Sequence, residues 1–228
     1  MSNQYIDLVK KHPKILTDLQ EIFSKKWQWN KFFKNNNPIV LEIWTGLWNY
    51  FSKRVNQELD KNFIGIELRY KRCFLTAEKC LWNKKNNDNS VDNTSLEKYN
   101  PNFVVLKIDA RHLINIFWEE ELEETVVFFP DPWARKKSRV LKKRLVWEKF
   151  LNNLYKMTKK WWKFLFKTDH LGYFLHVLYE IEKTSWKLNF KTFDYEKDWL
   201  YDSNSITEFE QIFRGQNIKV CYLELIKK

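Results

Sequence analysis

Apolar residues along the chain gather into short runs, most of which close on a polar or acidic residue. IVLEI occupies 39–43. Phe63 to Ile66 is closed by Glu67, Phe103 to Ile108 by Asp109, and Val126 to Phe129 by Pro130-Asp131. Phe164 to Phe166 is closed by Lys167-Thr168-Asp169. Such runs, rich in β-branched and aromatic side chains, are the pattern of strands covered on both faces. Stretches of helical spacing separate them: one from near Asn49, an Ala-, Leu- and Lys-rich one to about Leu81, Ala110 to Trp118, Leu145 to Met157, and Phe174 to Ile181. Alternating strands and helices predict an α/β domain around a mostly parallel, twisted sheet. Further strands at Leu188–Phe193 and near Ile218–Ile226 bring the count to about seven, with helices on both faces.

The domain is expected to span 39–228. Before it, Ile6, Ile15, Leu16, Leu19, Ile22 and Phe23 carry a helical spacing broken by Pro13, which predicts a helical arm over 1–38. Within it, 83–100 is Asn-rich and nearly without large apolar groups, so it is expected to be a flexible insertion rather than core.

The strand ends carry the candidate chemistry. Asp131 lies between Pro130 and Pro132, in a stiff, non-helical loop at the carboxyl end of a strand, where open α/β sheets bind ligands. Arg135, Lys136, Lys137, Arg139, Lys142, Lys143 and Arg144 follow with no acid among them, an anion-facing segment. Upstream, Trp44-Thr45-Gly46-Leu47-Trp48 stands where a nucleotide-binding fold turns from its first strand into a helix. Glu67, about twenty residues on, occupies the position that holds ribose hydroxyls in such folds.

The charge balance narrows the partners. Forty Lys and Arg against 29 Asp and Glu, a net +11, suit a polyanion. No apolar run reaches membrane-spanning length and no signal-peptide core follows the N-terminus, so a cytoplasmic protein is expected. Cys73, Cys80 and Cys221 are odd in number and form no C-x-x-C pair, and His12, His112, His170 and His176 are scattered. Reduced structural thiols and no metal are expected.

Several segments together resemble the bacterial tRNA (guanine-N7-)-methyltransferases: IVLEIWTGLW, NFIGIELRYKR, IDARHL, VVFFPDPWARKK with KKRL, FLFKTD, and TEFEQIF with Gly215. They cover nearly everything from Ile39 onward. The resemblance implies a Rossmann-like class I methyltransferase that moves a methyl group from S-adenosylmethionine to N7 of a guanine in the tRNA variable loop, acting as a monomer or homodimer. It places Glu42, Gly46, Glu67, Asp109 and Asp131 on the cofactor side, with Asp131 also catalytic. It assigns Arg135, Asp169, Thr207, Glu208, Phe209 and Glu210 to the guanine or its nucleotide. The cations Lys136, Lys137, Arg139, Lys142, Lys143 and Arg144 then contact RNA.

One departure needs physics. Average glycine usage of about 7% would give roughly sixteen glycines, yet the chain has 4 Gly and 12 Trp. Trp44 and Trp48 stand where the family's cofactor loop has glycine, and Trp161-Trp162 where it has a Gly-Gly turn. The exchange suggests UGA codons read as tryptophan in place of glycine. With genuine indoles at 44 and 48, the alternative is a degenerate, non-catalytic RNA-binding protein of the same fold.

Overall fold

The computed structural model describes residues 4–45, 49–85, 102–133, 143–199, 201 and 206–228. They form two compact units, Met1–Asp109 and Ala110–Lys228.

The first unit is a four-stranded parallel sheet in the order β1 (Ile15–Leu16), β4 (Phe103–Lys107), β3 (Asn62–Glu67), β2 (Ile39–Ile43). Every residue of β2 and β3 is buried, as their unbroken apolar runs require. Among the described residues five helices accompany the sheet: α1 (Tyr5–Lys11), α2 (Leu19–Ser24), α3 (Trp29–Phe33), α4 (Asn49–Gln57) and α5 (Tyr70–Lys85). Phe51 and Val55 of α4, with Cys73, Ala77 and Cys80 of α5, close a core over Val40, Phe63 and Val105. The stripe spacings 51/55 and 73/77/80 are those of one helix face. Burial pushes the Cys73 thiol up to about 12. Burial also raises the Cys80 thiol well above its ordinary value, and the nearby Glu42 carboxylate adds to the effect. All three cysteines are free and buried.

The segment expected as a helical arm is more than that. It does hold three short helices, but Ile15–Leu16 pairs with Val105–Leu106, and the Lys14 carbonyl accepts the Val105 N–H at 2.9 Å. β1 thereby becomes a two-residue edge strand, and a very short edge is one way of blunting an open sheet edge. It also accounts for eight strands among the described residues where about seven are expected.

The second unit carries β5 (Leu122–Phe128), β6 (Thr158–Thr168), β8 (Cys221–Ile226) and β7 (Lys187–Thr192), in that spatial order. β5 and β6 are parallel, and β8 runs antiparallel to both β6 and β7. Its helices are α6 (Leu113–Ile116), α7 (Glu148–Met157), α8 (Leu171–Ile181) and α9 (Glu208–Gly215). Phe150, Leu151, Leu154 and Met157 form the buried stripe of α7.

Two elements depart from expectation. The helix expected over Ala110–Trp118 is a 3-10 turn at Ala110–His112 and a single α-turn, because Phe117 turns extended and is buried. The strand expected at Phe164–Phe166 begins six residues earlier, with a register irregularity opposite Leu122–Glu124. The Asn-rich stretch expected over 83–100 begins inside α5, and from residue 86 it lies outside the described residues. Among the described residues no helix is long and apolar enough to cross a membrane.

Candidate active site

In the first unit, the register Ile43↔Ile66 and Glu67↔Lys107 brings Glu42, Glu67 and Asp109 to the carboxyl ends of three adjacent parallel strands. Glu42 and Glu67 are buried and Asp109 is half-buried. The chain leaves β2 at Trp44, whose N–H donates to the Ile66 carbonyl at 2.7 Å. Thr45 then packs against Gly65. A Cβ at 65 would sit 2.7 Å from Thr45 Cγ2 and 3.1 Å from Phe51 Cζ, so β3 can approach the turn only with glycine there.

Glu67 is held by its own backbone: Oε1 accepts the N–H groups of Leu68 at 2.8 Å and Arg69 at 2.9 Å, which open α5. Oε2 is buried without a hydrogen-bond partner. Among the described residues the cation paired with it, Arg72 Nη1, is 4.0 Å away, beyond hydrogen-bonding reach. A buried carboxylate oxygen left unpaired costs free energy, and a hydroxyl donor would satisfy it. Among buried acceptors, Thr45 Oγ1 is also without a partner.

In the second unit, Phe128↔Lys167 aligns β5 and β6, so the loops bearing Asp131 and Asp169 leave adjacent parallel strands at the same end. Phe129 turns into left-handed backbone (φ 51°) directly before Pro130, and its N–H donates to the Lys167 carbonyl at 2.8 Å. A bulky residue there is strained, by an amount on the order of 1–3 kcal/mol. The kink presents Asp131 to solvent. Arg144 fixes the loop from behind: its Nε donates to the Pro132 carbonyl at 2.8 Å and its guanidinium lies 4.7 Å from the Tyr173 ring centroid. Tyr173 is fully buried, its hydroxyl accepts the Val146 N–H at 3.1 Å, and burial pushes that hydroxyl's pKa up. Lys143 is exposed, with its ammonium 5.0 Å from the Trp133 ring.

The end of β6 is joined to α9. Thr207 and Glu210 form a reciprocal capping box: Thr207 Oγ1 accepts the Glu210 N–H at 3.2 Å and Glu210 Oε2 accepts the Thr207 N–H at 2.9 Å. The same carboxylate takes Lys167 Nζ at 3.0 and 3.1 Å, with both side chains almost fully buried. The ammonium is also 4.6 Å from the Phe128 ring and 4.2 Å from that of Tyr195. Phe129 packs on Phe209 and Phe213 at 5.7 and 5.5 Å between centroids. Beside Asp169, the Cys221 thiol is pushed up to about 11 by burial and by the carboxylates of Asp169 and Asp194. Asp169 and Glu208 are half-buried.

Of the residues expected at the site, Glu42, Glu67 and Asp109 thus converge on the strand ends of the first unit. Asp131, Asp169, Thr207, Phe209 and Glu210 belong to elements joined in the second. Gly46, Arg135, Lys136, Lys137, Arg139 and Lys142 lie outside the described residues. Sequence reasoning missed Lys167, Tyr173 and Phe129. For Lys167 there was a cue, since a lysine inside an apolar strand must find an acid.

A family model described as "Putative methyltransferase" matches residues 36–223. A tRNA (guanine-N(7)-)-methyltransferase of Bacillus subtilis is 32% identical over 188 residues, 82% of this chain and 80% of that protein. The chain belongs to the tRNA (guanine-N7-)-methyltransferase family. A family relative with a second activity, the bifunctional glycosyltransferase/methyltransferase of Fusobacterium nucleatum, is 32% identical over 228 residues. This is 99% of the chain but 33% of that protein, so the chain spans about a third of its length. The solved 16S rRNA methyltransferase KamB matches with a TM-score of 0.56 at 13% identity, covering 92% of each chain. Family and fold therefore agree on the Rossmann-like class I methyltransferase architecture expected from the sequence.

Proposed function

We propose that this chain methylates N7 of a guanine in the variable loop of tRNA, with S-adenosylmethionine as donor. The observation that carries this is the loop after β5: an exposed Asp131 on a proline-bounded kink, braced by Arg144 and Tyr173 and followed by a cationic segment.

The unpaired buried Oε2 of Glu67 fits a ribose hydroxyl of the donor, and Glu42, Gly46 and Asp109 complete the cofactor side. When bound, S-adenosylmethionine supplies a methyl group carried on a positively charged sulfur. Guanine N7 already bears an in-plane lone pair, so no residue needs to remove a proton from it. The work left to the chain is positioning and charge stabilisation. Asp131 and Asp169 offset the positive charge that the purine gains, and their carboxylates accept hydrogen bonds from guanine N1–H and the exocyclic amine. Thr207, Glu208 and Phe209 line the nucleotide, while Glu210 holds that turn in place through Lys167. Arg135, Lys136, Lys137, Arg139, Lys142 and Lys143 engage RNA phosphates, which makes affinity fall steeply with salt. Choice of guanine rests on RNA shape and an accessible base.

The test is transfer of labelled methyl from S-adenosylmethionine to tRNA lacking the modification. Asp131→Asn should lower kcat by about 100-fold with tRNA binding retained. Full turnover by that variant would overturn the assignment.

A further inference from the structure

Left-handed backbone is the province of glycine, because an L side chain there crowds its own carbonyl. Among the described residues glycine does not use it: Gly65, Gly172 and Gly215 all lie outside that region. Eight described non-glycine residues adopt positive φ, and four of them are tryptophans, Trp27 (67°), Trp44 (63°), Trp133 (44°) and Trp161 (71°). Tryptophan makes up 12 of 228 residues, so half of these positions is far beyond its share. Among bulky residues a positive φ is a genuine outlier.

Three of the four occupy places with a specific glycine demand. Trp27 ends the turn after α2, where the Gln28 N–H returns to the Lys25 carbonyl at 2.7 Å; helices commonly close on a left-handed glycine. Trp161 sits in the irregular part of β6, its N–H on the Lys227 carbonyl while Trp162 accepts the Lys227 N–H; a bulge opened by a left-handed residue is the glycine-led type. Trp44 makes the turn out of β2 into the cofactor-side loop. The Trp27 and Trp161 indoles are each 64% exposed.

Other tryptophans use their rings. Trp29 is fully buried against Phe32 and Phe33, and Trp186 is 3% exposed with Nε1 donating to the Leu151 carbonyl at 2.9 Å. Neither has positive φ. Trp133, despite its φ, offers its ring to the Lys143 ammonium.

We infer that positions 27, 44 and 161 are glycine in the protein as its own cell makes it; that glycine at 44 also favours the cofactor rests on the function proposed above. One codon, UGA, one base from the tryptophan codon UGG and read as glycine by that cell, produces the exchange. The tryptophans at turns that demand glycine and those whose rings pack or meet a partner then fall into two codon classes. Sequencing the gene should show TGA at codons 27, 44 and 161 and TGG at 29, 133 and 186. TGG at any of the first three overturns the inference. So does TGA at 29 or 186, where the core requires an indole and the codon would then mean tryptophan. At the protein level, W27G/W44G/W161G should melt several degrees above the chain with indoles and bind S-adenosylmethionine more tightly. An equal or lower melting temperature would overturn it, and melting reports on the backbone whether or not tRNA is a substrate.

Discussion

The two units treat the carboxylates at their strand ends oppositely. In the first, Glu42 and Glu67 are 5% and 1% exposed, and one Glu67 oxygen is consumed by the backbone of the following helix while the other waits unpaired. In the second, Asp131 is exposed and Asp169 half-buried, and the buried charge is instead a cation, Lys167, locked to Glu210. A small donor can be enclosed, so its acceptors are best fixed in a dry wall before it arrives. A base delivered on a macromolecule needs acids that it can reach, so rigidity must come from behind them. The buried ion pair and the Arg144 brace supply it.

The largest effect should come from that hidden support. Lys167→Met leaves the Glu210 carboxylate buried without its cation, and breaking such a pair costs about 3–5 kcal/mol. Urea unfolding should show that loss, and Lys167→Met combined with Glu210→Leu should recover most of it, since two apolar groups leave no buried charge. A single-variant cost below about 1 kcal/mol would mean that the pair is solvated, outside the range for buried pairs, and would remove the contrast between the units.

That pair also marks what sequence could and could not reveal. β2 was legible to the residue, because five consecutive buried positions leave no ambiguity of period. β6 was under-read, because its first half, Thr158 to Lys163, carries three lysines and is mostly exposed or half-buried, and it is strand only through its partners on β5 and β8. Lys167 and Glu210 are 43 residues apart, and no local pattern pairs them. The T-x-x-E spacing of Thr207 and Glu210 does spell a capping box, a structural duty beside the substrate contact that the resemblance suggests. Ile15–Leu16 is too short for any periodicity to register.

The next effect sharpens the first unit's side of the contrast. Glu67→Gln keeps the shape but discharges the oxygen that has no partner, and hydrogen bonds to charged groups are worth about 1.5–3 kcal/mol. Calorimetric affinity for S-adenosylmethionine should fall about 10- to 100-fold, while the free protein stays folded, because an amide oxygen can still accept the Leu68 and Arg69 N–H groups. Unchanged affinity would mean that the buried acid does not face the donor.

The smallest effect separates two neighbours in the cationic segment. Arg144 is 8% exposed and committed to Pro132 and Tyr173, whereas Lys143 is exposed with its ammonium over Trp133. A charge run cannot tell which of its members turns inward, but salt can. Lys143→Ala should weaken tRNA binding modestly and reduce the slope of log affinity against log salt by about 1, the signature of one lost phosphate contact. Arg144→Ala should leave that slope alone and lower kcat, because what it loosens is the carbonyl strut under Asp131 rather than a contact with RNA. If both variants flatten the slope equally, Arg144 is a phosphate ligand, and the rigidity of the exposed carboxylate must come from Phe129 and the prolines alone.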